Sequence, residues 1–351
     1  MKHLCIINPK AGQVRGHVYE LVLEINAFFL KNPRMDHAVH ITRWKRDASG
    51  FAMRYVKNAS EMVRVYAFGG GGTLFEVING VMGLPNVQIA YYPLGRDDDL
   101  LTVFGKNSGR IFKSLRNLSL SSPIAIDTIL AGNHYALANI TIGIGAISYQ
   151  TGMQLSERLM LPLNASYNAA GIYYAFIKKS ISRYRIEMED IEMEGDYAGI
   201  FIANISGNGG GSPAPEARFN DGIMDIYAIK QTPRNVILRV IMDYQTGNYA
   251  KWPQYINHYR CKKLKISSPK DMTMILDGEI FYYTEINLEI KPASINFICP
   301  LDIDQSVYKQ LAAYSASSVN TQGSGKSFSL EETFLPEEFT VSDLYKNGEA
   351  P

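Results

Sequence analysis

Residues 69–76, Gly-Gly-Gly-Gly-Thr-Leu-Phe-Glu, decide the fold of this chain. They follow the apolar run Val63 to Phe68 and lead into helical spacing at Leu74, Val77, Ile78 and Val81. This order predicts a strand, a glycine loop and a helix, and the spacing of Thr73 and Glu76 predicts a capping box at the helix start. Glycines and a helix N-terminus together form an anion site, because backbone N–H groups can approach a phosphate there. A plain tight turn is the alternative.

Two further loops have the same setting. The apolar run Leu4 to Ile7 opens into residues 8–16, Asn-Pro-Lys-Ala-Gly-Gln-Val-Arg-Gly, and then a helical pattern. The run Val87 to Tyr92 ends in residues 93–99, Pro-Leu-Gly-Arg-Asp-Asp-Asp. Loops after parallel strands emerge at one edge of the sheet, where ligands of open α/β sheets bind. Neither the Gly-Lys-Ser/Thr phosphate loop nor the Gly-x-Gly-x-x-Gly fingerprint is present, so we expect a different type of nucleotide site.

Bulk composition narrows the class of protein. The 351 residues carry 35 basic and 34 acidic side chains, a net charge of +1, which gives no indication of a nucleic-acid partner. Three scattered cysteines favour a reducing cytosol over a disulfide framework. The start of the chain does not look like a signal peptide, and no uncharged run approaches the ~18 residues of a membrane span. We therefore expect no transmembrane segment and only peripheral membrane contact.

The strand and helix signals change along the chain. We predict an α/β domain with a parallel sheet over residues 1–124, a C-terminal β-sandwich over 125–314, and an acidic, flexible tail over 315–351. A return of the chain to the first domain near 300–314 is allowed for. One helical insertion, about Ala165 to Ser180, is interpreted mainly as core packing, with lipid contact as the alternative.

Seven short motifs, in order, resemble the diacylglycerol kinase catalytic domain family, above all its bacterial lipid kinases, and more distantly sphingosine and ceramide kinases. The matching segments run from about residue 2 to residue 300: residues 8–12, 69–80, 139–146, 209–211, 215–217, 220–225 and 277–279. The resemblance implies a kinase of phospholipid metabolism that uses ATP and Mg²⁺, acts on a lipid at a membrane surface and lies in the cytoplasm. Assembly into a homodimer is considered as well.

The departures from the family pattern bear on catalysis. Gly71 stands where the family has its signature aspartate, Phe75 replaces an asparagine, and Gly145 replaces another aspartate. The third loop reads Arg96-Asp97-Asp98-Asp99 instead of Thr-Gly-Asn-Asp. A carboxylate beside the phosphates commonly contributes several kcal/mol to a transition state. An active kinase and a pseudokinase that only binds nucleotide or lipid therefore both stay open.

The resemblance also implies roles for single residues. Glu279 corresponds to the proposed general base, although Asp277-Gly278 is also a strong hairpin signal. Asp221 is implied to bind a structural Mg²⁺ with main-chain groups of Arg218 and Ile223; a turn aspartate is the alternative. The residues expected to hold the nucleotide are Asn8, Pro9, Lys10, Ala11, Gly12, Thr42, Gly70, Gly71, Gly72, Thr73, Glu76, Arg96 and Asp99.

Two charged clusters have open interpretations. Asp97 to Asp99 either cap a helix or supply metal ligands that Gly71 cannot. Lys45 and Arg46 are interpreted as a solvated loop. The leading hypothesis is an ATP-dependent kinase that phosphorylates a diacylglycerol-like lipid hydroxyl with Glu279 as base. The alternatives are the pseudokinase and, with least support, an interaction protein recruited through its acidic tail.

Overall fold

The structure, a computed structural model, describes residues 1–12, 14–95, 99–105, 107–160, 163–178, 181–207, 211–300 and 302–303. The first part of the chain alternates strands and helices. Its elements are Lys2–Ile7 (β1), Val18–Leu30 (α1), His37–Ile41 (β2), Asp47–Lys57 (α2), Val63–Gly69 (β3), Gly71–Val81 (α3), Val87–Pro93 (β4), Asp99–Thr102 (α4), Ser108–Ile111 (α5) and Leu115–Leu120 (α6).

Strands β1 to β4 pair in parallel, in the order β2-β1-β3-β4. Cys5 lies opposite both Val39 and Tyr66, and Val65 lies opposite Ile89. Every residue of β3 is buried, as expected for a parallel strand covered on both faces. The loops that follow the four strands therefore emerge at a common edge.

The second part consists mainly of antiparallel strands with two helical excursions. Its elements are Pro123–Ala131 (β5), His134–Ala136 (β6), Asn139–Gly143 (β7), Ile144–Leu159 (α7), Leu163–Ile172 (α8) continuing as a π-helical turn Tyr173–Lys178, Ser182–Met188 (β8), Glu192–Ala203 (β9), Met224–Lys230 (β10), Ile237–Gln245 (α9), a 3₁₀ turn Tyr249–Lys251, Ile256–Cys261 (β11), Lys263–Leu276 (β12) and Glu279–Ile298 (β13).

Strand β13 joins the two parts into one connected sheet. Over most of its 20 residues it pairs antiparallel with β12 and β5, and at Phe297 it pairs in parallel with Ile89 of β4. Strands β7 and β8 both lie between β9 and β12. Strand β13 thus begins at the hairpin with β12 and ends beside the parallel strands.

Buried hydrophobic side chains of the described residues form three clusters, one centred on the first part of the chain and two in the second. The first core packs Leu4, Phe68 and Phe297 among its fully buried side chains. The second is built around residues such as Ile202 and Met274. Residues Ile295, Phe297, Ile298 and Ile303 belong to the first core, so the chain returns to the N-terminal part through the end of β13.

The predicted capping box at Thr73 and Glu76 is wrong. Helix α3 begins at Gly71, its N-cap is Gly70, and no side chain caps it. The Gly70 carbonyl accepts hydrogen bonds from the backbone N–H groups of Thr73 and Leu74, so the helix begins two residues before Thr73. The two polar side chains bond instead to neighbouring loops.

Two details of the second part also differ from expectation. Helix α7 was not predicted at all, and the predicted helical insertion is α8 with its π-helical turn. Its side chains are not mainly core, because Ile172 is 52% exposed and Ile177 is 69% exposed. Within the described ranges, no helix combines the length and apolar character needed to cross a membrane.

Candidate functional site at the edge of the parallel sheet

Three loops meet at the carboxyl ends of β1, β3 and β4. The Asn8 side chain donates a 3.1 Å hydrogen bond to Thr73 Oγ1, which ties the first loop to α3. The Leu94 N–H donates to the Gly69 carbonyl at 2.8 Å, and a Cβ built on Gly70 would lie 3.5 Å from Gly95 Cα. The loops predicted from the sequence to share one sheet edge are thus in direct contact.

Asn8 organises the first loop. Its side-chain oxygen accepts the Lys10 N–H at 3.0 Å, and its carbonyl accepts the Ala11 N–H at 3.1 Å. This Asx turn holds residues 8–12 in a tight bend, with the Lys10 side chain exposed to solvent. Thr42 lies at the same edge, because its N–H donates to the carbonyl of Ile7 at 2.9 Å.

The start of α3 provides an open backbone surface. Gly71 is exposed, and the first N–H groups of a helix have no acceptor within the helix. A Cβ on Gly71 would lie 3.8 Å from the Asp277 carbonyl oxygen, and one on Gly72 would lie 3.2 Å from Glu279 Oε1. The glycines therefore form a shallow cradle, bounded by residues 277–279, that could hold an anion such as a phosphate.

A two-residue turn delivers Glu279 to this cradle. Asp277 and Gly278 both have positive φ, 47° and 90°, and Leu276 pairs with Glu279 across the turn, as in a type I′ hairpin. The Asp277 carboxylate accepts the N–H groups of Leu137, Ala138 and Asn139 at 2.5, 2.8 and 3.0 Å. The hairpin and the site are thus one feature, because the turn that pairs the strands also positions the glutamate.

Lys45 is a site residue that the sequence reasoning missed. Its ammonium lies 2.6 Å from Glu279 Oε2, and the adjacent Arg46 N–H donates to Glu76 Oε1 at 2.8 Å. The prediction of a solvated loop is confirmed, since Lys45 and Arg46 are both exposed, but it did not include the contact of the Lys45 ammonium with Glu279. The available signal was their position directly after β2, at the edge where the other loops meet.

Aromatic residues border the glutamate on the side of the second core. Phe75, at the position of a family asparagine, packs with its ring centroid 6.2 Å from Phe281. Asn79, one turn later on α3, bonds to the backbone of Tyr135, donating to its carbonyl at 2.9 Å and accepting its N–H at 2.8 Å. Helix α3 thus connects the glycine loop to the second part of the chain.

The residues around Asp221 do not fit a Mg²⁺ ion. Asp221 Oδ1 accepts the Ile223 N–H at 3.1 Å, and Oδ2 lies 2.5 Å from the Arg260 guanidinium. Burial raises the pKa of the Asp221 carboxyl, and the charge of Arg260 partly offsets this. Mg²⁺ requires oxygen ligands, whereas both carboxylate oxygens here face donors. Nowhere in the described ranges do three or more His, Cys, Asp or Glu side chains form a group able to hold a metal.

Some predicted site residues lie outside the described residues. They are Arg96, with its neighbours Asp97 and Asp98, and the tail from residue 315. Asp99 is the first residue of α4, and its side chain is not among those described. The structure brings together the predicted nucleotide-binding residues of the loop 8–12, those of the loop 69–76, and Thr42.

Known proteins resemble this chain over most of its length. Residues 2–131 match the Diacylglycerol kinase catalytic domain family, and residues 138–299 match the YegS C-terminal NAD kinase beta sandwich-like domain. A "Probable lipid kinase YegS-like" of Yersinia pestis (strain Pestoides F) is 30% identical over 72% of this chain and 84% of its own. One of Shewanella frigidimarina is 28% identical over 69% of this chain and 78% of its own.

The solved structures agree with this at the level of the fold. A diacylglycerol kinase of Bacillus anthracis str. Sterne superposes with a TM-score of 0.61 at 21% identity, covering 86% of this chain and 98% of that chain. The chain belongs to the YegS-like lipid kinase family, whose N-terminal part is a diacylglycerol kinase catalytic domain.

Proposed function

We propose that this protein is an ATP-dependent lipid kinase that transfers the γ-phosphoryl group to the hydroxyl of a diacylglycerol-like lipid. The observation that carries the proposal is the position of Glu279, whose carboxylate lies against the glycine cradle at the start of α3. A proton acceptor beside an anion-binding backbone is the arrangement that phosphoryl transfer to an alcohol needs. The names of the relatives support a lipid acceptor.

The nucleotide would lie across the shared sheet edge. Residues of the first loop, Thr42 and the glycine loop would contact it, with the phosphates at the N-terminus of α3. These contacts are assigned to Asn8, Pro9, Lys10, Ala11, Gly12, Thr42, Gly70, Gly71, Gly72, Thr73 and Glu76. For Thr73 and Glu76 the role is indirect, since their side chains bond to Asn8 and to the Arg46 N–H.

Glu279 would act on the acceptor. The lipid oxygen forms a bond to the γ-phosphorus while the bond from that phosphorus to the β-phosphate bridging oxygen breaks, and ADP leaves with that electron pair. The hydroxyl proton passes to the Glu279 carboxylate. Mg²⁺ bound with ATP would neutralise phosphate charge in such a reaction. The described residues show no protein cluster for it, so the roles above are assigned without one.

Exposed apolar side chains at the end of α7 support a lipid substrate. The first half of α7 lies beside the hairpin, since a Cβ on Gly278 would lie 3.5 Å from the Tyr149 hydroxyl. The far end of α7 exposes 59% of Leu159 and 93% of Met160. Apolar side chains of this kind can enter the interfacial region of a bilayer. We infer that the protein meets its substrate at a membrane surface through α7 and α8.

The direct test is phosphoryl transfer to lipid. Purified protein is incubated with γ-labelled ATP, Mg²⁺ and a total lipid extract, and label is counted in the organic phase. We expect a labelled lipid from the wild type and about 10²-fold less from Glu279→Gln, because a positioned proton acceptor is lost. Glu285→Gln is the matched control, since Glu285 is exposed on the same strand and pairs with Lys265 at 3.2 Å.

The second candidate, a nucleotide-binding pseudokinase, is favoured by one observation. Gly71 leaves no carboxylate at the start of α3. Saturable nucleotide binding without labelled lipid from any variant would favour this candidate over the kinase. Equal turnover in the wild type and Glu279→Gln would remove the assigned role of Glu279.

A further inference from the structure

In the loop between β2 and α2, the side chain of Lys45 forms an ion pair with Glu279. Lys45 is anchored from both sides, through the Thr42 N–H on the Ile7 carbonyl and the Arg46 N–H on Glu76. Arg46 itself has a positive φ of 68°, which turns the chain into α2. The backbone of the loop is thus fixed, while the Lys45 side chain is 71% exposed and free to reorient.

The ion pair of Lys45 with Glu279 is easily exchanged. Exposed pairs of this kind contribute little to stability, because water screens them and two long side chains lose freedom. A triphosphate carries several negative charges and accepts hydrogen bonds strongly, so it competes well for an ammonium. Glu279 is less exposed, at 24%, and its Oε1 faces Gly72, so we expect it to keep this position when the lysine leaves.

The site also needs positive charge from the protein. Gly71 provides no carboxylate that could fix a metal ion at the start of α3. The first loop brings Lys10, but its side chain is exposed and no ion pair places it toward Glu279 among the described contacts. Among the described ion pairs, it is Lys45 that contacts Glu279, the carboxylate beside the glycine cradle.

We propose that Lys45 binds the γ-phosphate of ATP and that its transfer from Glu279 to the phosphate frees the glutamate for the lipid hydroxyl. The inference rests on the proposed function and adds to it a residue that couples nucleotide binding to the release of the base. ADP has no γ-phosphate, so it leaves the pair with Glu279 in place. The lysine therefore distinguishes ATP from ADP.

The test compares ATP and ADP dissociation constants in the wild type, Lys45→Met, Lys45→Arg and Lys57→Met. We expect the wild type to bind ATP about tenfold more tightly than ADP, since a charge-assisted contact of about 1.4 kcal/mol gives this factor. Lys45→Met loses this preference and keeps the affinity for ADP, and Lys45→Arg retains part of it. Lys57→Met, an exposed lysine at the end of α2, behaves as the wild type.

Glu279→Gln is expected to change the affinity for ATP in the opposite direction to Lys45→Met. Removing the carboxylate frees Lys45 and takes a negative charge from the phosphates, so ATP binds more tightly although turnover falls. An unchanged ATP preference in Lys45→Met, or weaker ATP binding in Glu279→Gln, overturns the role of Lys45 and leaves the kinase proposal intact. If the wild type binds neither nucleotide, the proposed function itself is overturned.

Discussion

At the scale of single residues, the chemistry of the site depends on what surrounds one glutamate. Glu279 is held by a turn whose aspartate is clamped by three backbone N–H groups, those of Leu137, Ala138 and Asn139. Such a clamp fixes the direction of the strand that follows. A base positioned by the backbone loses little entropy when substrate binds, which is what pre-organisation provides.

Gly71→Asp tests what the missing carboxylate means. A Cβ at position 71 would lie 3.8 Å from the Asp277 carbonyl oxygen, which is an ordinary van der Waals distance. A carboxylate in the first turn of a helix adds about 0.5 kcal/mol of stability. The variant therefore folds. We expect its ATP affinity to fall when Mg²⁺ is chelated and to recover when Mg²⁺ is added, because the new charge repels the phosphates unless a metal bridges them.

The control for this prediction is Gly71→Asn, which has the same size without the charge. Calorimetric titration with ATP, with and without Mg²⁺, measures both variants. An ATP affinity of Gly71→Asp that does not respond to Mg²⁺ would show that position 71 does not face the phosphates.

At the scale of elements, the site depends on how closely α2 and α3 pack. A Cβ on Gly80 would lie 2.4 Å from the Ser49 carbonyl oxygen, so the helices approach at a position where only glycine fits. Helix α2 begins directly after the loop that carries Lys45. The family motif that ends in Asn79-Gly80 thus serves to join two helices.

Gly80→Ala is expected to be destabilising although alanine is the better helix former. Propensity alone would favour alanine by about 1 kcal/mol, but the clash with backbone forces the helices apart and costs about 1–3 kcal/mol or more. Chemical denaturation of the variant measures the loss. Gly109→Ala is the control, since its Cβ would lie 4.0 Å from Leu101 Cδ1. Equal stability of Gly80→Ala and the wild type would show that the helix pair is looser than described.

The sequence predicted those elements whose signal is local. Buried parallel strands are continuous apolar runs, so Leu4 to Ile7 and Val63 to Phe68 were recognised, and Asp277-Gly278 predicted its hairpin. Helix α7 was not predicted, because its apolar pattern is interrupted by Gly145, Ser148, Thr151 and Gly152. The predicted capping box does not form because the side chains of Thr73 and Glu76 accept hydrogen bonds from Asn8 and from the Arg46 N–H, in other loops. The pair of Lys45 and Glu279 joins residues far apart in sequence, and no local pattern encodes it.

At the scale of the whole molecule, β13 ties the two parts together by pairing with β4 at Phe297, and the hairpin at its other end lies against Gly71 and Gly72. In the second part of the chain, one arginine pairs with two carboxylates. Arg260 lies 2.5 Å from Asp221 and 3.4 Å from Asp225, which is fully buried and has one oxygen without a hydrogen-bond partner. The Arg260 guanidinium thus pairs with Asp221, the carboxylate that the family resemblance implied as a Mg²⁺ ligand.

Chelation of metal should therefore leave the stability of the nucleotide-free protein unchanged. We expect the same unfolding temperature with EDTA and with millimolar Mg²⁺. Arg260→Met is expected to lower the free energy of unfolding by about 1–2 kcal/mol, because Asp221 loses its cation and Asp225 keeps only His258 Nε2, at 2.7 Å. The estimate is reduced for solvent screening, since Arg260 is 45% exposed. Arg183→Met, which removes an exposed arginine paired with Glu194 at 2.7 Å, is the control. A wild type stabilised by Mg²⁺ would contradict this assignment.

The central claim is that the loops at the edge of the parallel sheet bind a nucleotide. Amide hydrogen exchange with and without saturating ATP tests it most directly, because protection reports which backbone segments a ligand covers. We expect protection of residues 8–12, 42–46 and 69–76, with little change in β8 to β11. Protection confined to the second part of the chain, or no saturable change up to millimolar ATP, would contradict it.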